Sequence, residues 1–172
     1  IDIPLPFSIE AAWGGGELLT YTDSGRIEQV GIENLRGVSD FDPAKRTTRI
    51  FQTIPEQGPE YFCDEDHYWN FIAIDNAKDC WVRDVAARHF AHGAVMLERG
   101  TKRITVTDCD SREHVSMLQG GRRAPFLMDG QLCLFMRCTS DDGRHDFIIG
   151  GNVAGPGVFL DCTAGTSYSS SE

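Results

Sequence analysis

The sequence lacks long apolar runs. Stretches such as Phe147-Ile148-Ile149 and Val158-Phe159-Leu160 fall far short of the roughly 20 residues that a membrane-spanning helix requires. It also lacks an excess of basic charge: sixteen Lys and Arg stand against twenty-six Asp and Glu, a net charge of −10, which repels phosphate backbones and argues against nucleic acid as the main partner. No stretch carries a helical hydrophobic period with caps, so helices are not expected to build the core. There is no C-x-x-C pair among the six cysteines, which removes the usual zinc and redox signatures. An initiator Met and a charged-then-apolar signal segment are missing as well. The chain opens on Ile1 and stops in a Ser-rich string, so processed ends or a fragment of a longer protein are expected. With 41% hydrophobic and 24% charged residues, the chain has the composition of one folded domain over residues 1–172.

What is present is a short repeat. Val30-Gly31-Ile32-Glu33-Asn34-Leu35 returns as Cys80-Trp81-Val82-Arg83-Asp84-Val85, then at 104–109, 133–138 and 157–162. The last four copies recur at intervals of 24, 29 and 24 residues, and the gap of 50 before them leaves room for an inserted loop at about 43–66. First and third positions are mostly apolar or small, the period-two mark of a strand with one buried face. The fifth position is Asn or Asp in four copies of five; these residues tolerate turn geometries that others resist, so the chain can bend there. Apolar stretches at 71–74, 94–97, 125–128 and 147–149 precede the last four copies. Strands repeating in phase without crossover helices predict an all-β right-handed parallel β-helix, a solenoid of about five rungs. An antiparallel sandwich is the alternative, but it does not explain why the same motif returns in the same phase.

The cysteines fit that register. Cys109, Cys138 and Cys162 share the motif's last position with Leu35 and Val85, and Cys80 and Cys133 share its first position with Val30 and Ile104. Thiols that exchange with Leu, Val and Ile are read as small buried hydrophobes, reduced and stacked. Cys63 falls in the insertion and has no assignment.

At these rungs the sequence resembles the pectate-lyase-like superfamily of right-handed parallel β-helix proteins, over roughly residues 25 to 165. The stretches Gly120-Gly121-Arg122-Arg123 and Gly143-Arg144-His145-Asp146-Phe147 resemble segments of longer, uncharacterised bacterial β-helix proteins. The resemblance implies a secreted, periplasmic or cell-surface protein that acts on or binds polysaccharide, with the remaining rungs of a longer parent chain as its neighbours. The family's catalytic and calcium-binding motifs do not carry over. Where a pectate lyase has Asp-His, this chain has Asp75-Asn76.

All five histidines lie in one kind of loop, between the last strand of one rung and the first of the next. These loops hold Asp64-Glu65-Asp66-His67, then His89 and His92, then His114 with Arg122 and Arg123, then Arg144-His145-Asp146. Equivalent loops of a solenoid stack on one side. His92 and His145 each follow the last motif position by seven residues. The expected catalytic set is therefore His145, Arg144, Asp146, His92, His114 and Arg122. A histidine would be acid or base, an arginine would neutralise a uronate carboxylate, and Asp146 would orient the imidazole of His145. Arg123, His67, Tyr68 and Trp69 are expected to contact substrate, the aromatics by stacking on a sugar ring. Asp64, Glu65 and Asp66 offer hard oxygen ligands and are the candidates for a calcium ion. The expected function is a lyase or hydrolase acting on an acidic polysaccharide; a non-catalytic glycan-binding or structural β-helix module is the alternative.

Overall fold

The computed structural model describes residues 10–16, 25–48, 50–51, 54–55, 60–151, 153 and 155–168. Among them the only helix is one turn of 3₁₀ at Ala11–Trp13; the rest of the regular structure is strand. The fold is all-β, and its two main sheets are parallel.

The larger sheet is organised by the long strand Ala77–Arg88. Its first half pairs with Lys102–Thr107 and its second half with Asp110–Arg112, while Gly31–Val38 pairs along its other edge. Leu134–Met136 and Val158–Leu160 extend the first ladder, and Thr139–Ser140 and Thr163–Ala164 the second. Every one of these pairings is parallel, and together they place all five motif copies in register. Ile32, Val82, Val106, Phe135 and Phe159, the third positions, form one column. The period-two pattern thus sends the same face of every copy inward.

The apolar stretches between copies form the second sheet, Asn70–Ile74, Gly93–Leu97, Phe126–Met128 and Phe147–Ile149, also parallel throughout. Its inward column, Ile72, Val95, Phe126 and Phe147, packs against the first sheet in one shared core. Phe126 meets Phe135 edge-on at 5.7 Å between ring centroids and stacks on Phe147 at 5.2 Å. A buried aromatic of this kind stabilises the fold by roughly 1.5–3 kcal/mol through surface removed from water.

The chain turns by placing single non-glycine residues in the left-handed region. At the fifth motif position Asn34, Asp84, Asp108, Arg137 and Asp161 all have φ between 52° and 56°. The corner expected from Asn and Asp is present, and Arg137 adopts it too. A second series, at the residue just before the motif, is Gln29, Asp79, Arg103 and Leu132. A third, four residues beyond the motif, is His89, Glu113 and Asp142. Left-handed backbone costs a non-glycine residue on the order of 1 kcal/mol or more. Ion pairs between the same corner of successive copies offset part of it: Arg103 grips Asp79 through Nε and Nη2 at 2.5 and 2.8 Å, and Arg137 grips Asp108 at 2.7 and 2.8 Å.

The insertion between the first two copies contributes the antiparallel pair Arg46–Thr47 and Tyr61–Phe62. Asp64 anchors it. That buried carboxylate accepts the backbone N–H groups of Asp42 and Asp66 and the ammonium of Lys45. Cys80, Cys109, Cys133 and Cys138 are free and buried, and Cys63 and Cys162 are free and half-buried. The hydrogen bond to Cys109 and burial push the Cys138 thiol up.

Candidate functional site

The loop residues singled out from the sequence separate into two neighbourhoods. In the first, His92 packs its ring against Trp69 at 5.9 Å, and His145 lies close enough to help burial hold the His92 imidazole down. His92 Nδ1 is buried without a hydrogen-bond partner. Arg144 donates to His145 Nε2 at 2.8 Å and to the carbonyl of Gly120. Arg122 forms a bidentate pair with Glu65 at 2.8 and 3.0 Å, and its guanidinium sits 6.0 Å from the Trp69 ring centroid. Tyr68, next to Trp69, is exposed.

His92 and His145 are not level with one another. Strand register carries Val95 through Phe126 to Phe147, which sets His92 opposite Arg144. The path from the third corner to the second sheet is one residue shorter after Asp142 than after His89, so counting from the preceding motif slips by one. Asp146 does not face the imidazole. Its carboxylate accepts the hydroxyls of Ser140 and Ser167, and it is buried.

His67 is tied on both ring nitrogens, to Ser39 Oγ and to the carbonyl of Val115, each at 2.8 Å. The three acids beside it are matched by cations of this chain: Asp64 and Asp66 by Lys45, and Glu65 by Arg122. Hydrogen bonds from the Asp42 backbone and from Lys45 hold the Asp64 carboxyl well below the usual range. Among the described residues no group of three or more His, Cys, Asp or Glu is gathered as a metal centre would need.

The second neighbourhood is a cleft of about 350 Å³ between the insertion and the third corner. The insertion supplies Arg46, Glu60, Tyr61 and Phe62, and Phe41 precedes it; the corner supplies His89, Glu113 and Asp142. His114 and Arg123 line its floor. Arg123 is 2% exposed. Its Nε and Nη2 donate to the carbonyl of Ser116, and Nη1 donates to Asp142 at 2.9 Å. Tyr61 and Tyr168 flank the guanidinium, their centroids 5.5 and 5.8 Å away. Burial pushes the Asp142 carboxyl up against the pull of Arg123. His114 bonds Ser111 and the carbonyl of Phe90, and burial lowers it to about 4. At the mouth, His89 Nε2 lies 3.1 Å from Glu113 and its ring meets Phe41 edge-on. Arg46 pairs with Glu60 and covers Phe62 at 4.3 Å.

Sequence reasoning placed His114 and Arg123 in a site but missed the partners that make it a cleft. His89, Glu113 and Asp142 carry the one available signal, a shared offset of four residues from the motif's end. No protein-family model, curated protein or solved structure matches the chain.

Proposed function

We propose that the parallel strands wind as a right-handed β-helix of the pectate-lyase-like kind, and that its cleft under the insertion takes a neutral saccharide. The lining of the cleft carries this reading. Phe41, Tyr61 and Phe62 offer aromatic surface for the C–H face of a sugar ring. Around them the polar groups come as matched pairs, His89 with Glu113, Arg46 with Glu60 and Arg123 with Asp142. Such pairs present donors and acceptors together, which is what hydroxyls need, and leave no surplus cation for a polyanion. Of the arginines expected at the substrate, Arg122 is already paired with Glu65 and Arg123 with Asp142, and Arg144 donates to His145 and to the carbonyl of Gly120. A glycan ligand fits a secreted or cell-surface protein.

Hydrolysis is a second reading, favoured by one observation: Glu113 and the raised carboxyl of Asp142 line the same cleft, and paired carboxyls in unlike environments are the equipment of glycoside cleavage. The test is calorimetric titration with neutral and uronate oligosaccharides, together with an assay for new reducing ends. Neutral oligosaccharides should bind, and His89→Ala and Glu113→Gln should weaken binding by about tenfold or more. Preference for the uronates, or indifference to both substitutions, overturns the assignment. New reducing ends released from the neutral oligosaccharides, without unsaturated ends and lost in Asp142→Asn, would make the protein a hydrolase.

A further inference from the structure

The outer face of the larger sheet is built from the second and fourth motif positions. Register places Gly31, Trp81, Thr105, Leu134 and Val158 in one column, with Glu33, Arg83, Thr107, Met136 and Leu160 beside it. Trp81, Val158 and Leu160 are 38%, 42% and 45% exposed, and Leu134 and Met136 half-buried. The indole of Trp81 lies across the backbone of Gly31, where a Cβ would come within 2.3 Å of the ring. Trp81 Nε1 donates to Glu33 at 2.5 Å, and Arg83 Nη2 donates to the other carboxylate oxygen of Glu33 at 2.9 Å. Glycine beneath and carboxylate at the edge hold the ring flat on the sheet with its outer face open.

We propose that this face is a second ligand site, distinct from the cleft, that takes a linear neutral polysaccharide chain laid across the strands. A fixed indole gives stacking surface without ordering cost on binding. Glu33 and Arg83 at its edge accept from and donate to the hydroxyls of the sugar stacked there. From Trp81 to Val158 the column crosses three strand spacings, about 14 Å, a flat track on which successive sugar rings lie in line. The backbone groups of the three middle strands, Ala77–Arg88, Lys102–Thr107 and Leu134–Met136, are spent in ladders on both sides, so a peptide cannot dock between the two ends of the face by adding a strand. The track narrows at Thr107, which is buried and accepts from Arg137 Nη2, and is bounded there by the Asp108–Arg137 pair, so a ligand chain lies along the Trp81 column.

Cellohexaose is the probe, followed through tryptophan emission and the indole N–H resonances of the whole chain. The expected result is saturable binding that perturbs the Trp81 resonance, weakened about tenfold or more by Trp81→Ala. Gly31→Val, which displaces the ring while keeping it, should weaken binding as well, and it serves if Trp81→Ala fails to fold by circular dichroism. Trp13→Phe, at an exposed tryptophan outside both sites, should leave the perturbation of the Trp81 resonance unchanged. No binding overturns the proposal, and so does binding indifferent to Trp81→Ala and Gly31→Val, which would assign the sugar to the cleft alone. Self-association that Leu160→Glu abolishes, without a saccharide effect, overturns it in favour of a protein interface.

Discussion

The middle copies of the motif and the outer ones share a pattern and differ in what surrounds it. At the third position Val82, Val106 and Phe135 are fully buried, whereas their equivalents in the outer copies, Ile32 and Phe159, are half-buried; at the last position Val85, Cys109 and Cys138 are buried and Leu35 of the first copy is 41% exposed. A strand in a parallel stack borrows its burial from both neighbours, so identical chemistry is worth less where only one neighbour is present among the described residues.

Substitutions should expose that difference. Phe135→Ala removes a ring that touches Phe126 and Phe159; it should cost about 3–5 kcal/mol in urea unfolding. An equal loss in Phe159→Ala, the same position in the last copy, would erase the distinction between middle and edge. His114, also central, titrates at about 4 in the fold against 6.5 in the open chain. Between those values the unfolded chain binds more protons. Stability should therefore fall as the pH drops from 6.5 towards 4, by on the order of 3 kcal/mol, and stay flat above 6.5 as far as this group is concerned. His114→Gln should flatten the profile in that window, and an unchanged slope would show that other groups set it.

Arg103→Ala tests a corner rather than the core. It loses the pair to Asp79 and keeps the left-handed φ of 53°, so a cost of about 1 kcal/mol is expected. Arg103→Gly should cost less because glycine adopts that φ freely, and equal costs would mean that the lost ion pair, common to both variants, dominates. Leu160→Ala, at the exposed edge, should change stability by under about 0.5 kcal/mol. A larger loss would reveal that something covers Leu160 in solution.

Much of this was legible in the residues. The in-phase motif, the parallel register of its five copies, the bend at the fifth position and the free, stacked cysteines follow from period-two burial and from the tolerance of Asn and Asp for left-handed backbone. The other two corners were not legible, because Gln29, Leu132, Arg103 and Glu113 have no intrinsic preference for that conformation and are forced into it by the strands on either side. The site was legible only in pieces. His92, His145 and Arg144 do come together, but a one-residue difference in loop length moved the histidines out of register and turned Asp146 towards Ser140. Side-chain partners such as Asp142 for Arg123, or Glu65 for Arg122, depend on where an irregular insertion folds back, and no period encodes that.

The thiol column gives the molecule a built-in stopwatch. Cys109 and Cys138 react with an alkylating reagent only when the strands above them part, because burial hides the sulfur and the Cys138 proton is held tightly. Cys162 stands half-open at the last copy. Mass-resolved labelling over time should mark Cys162 first and Cys138 late, so the order in which the peaks shift would record whether the stack frays from one end or opens at once.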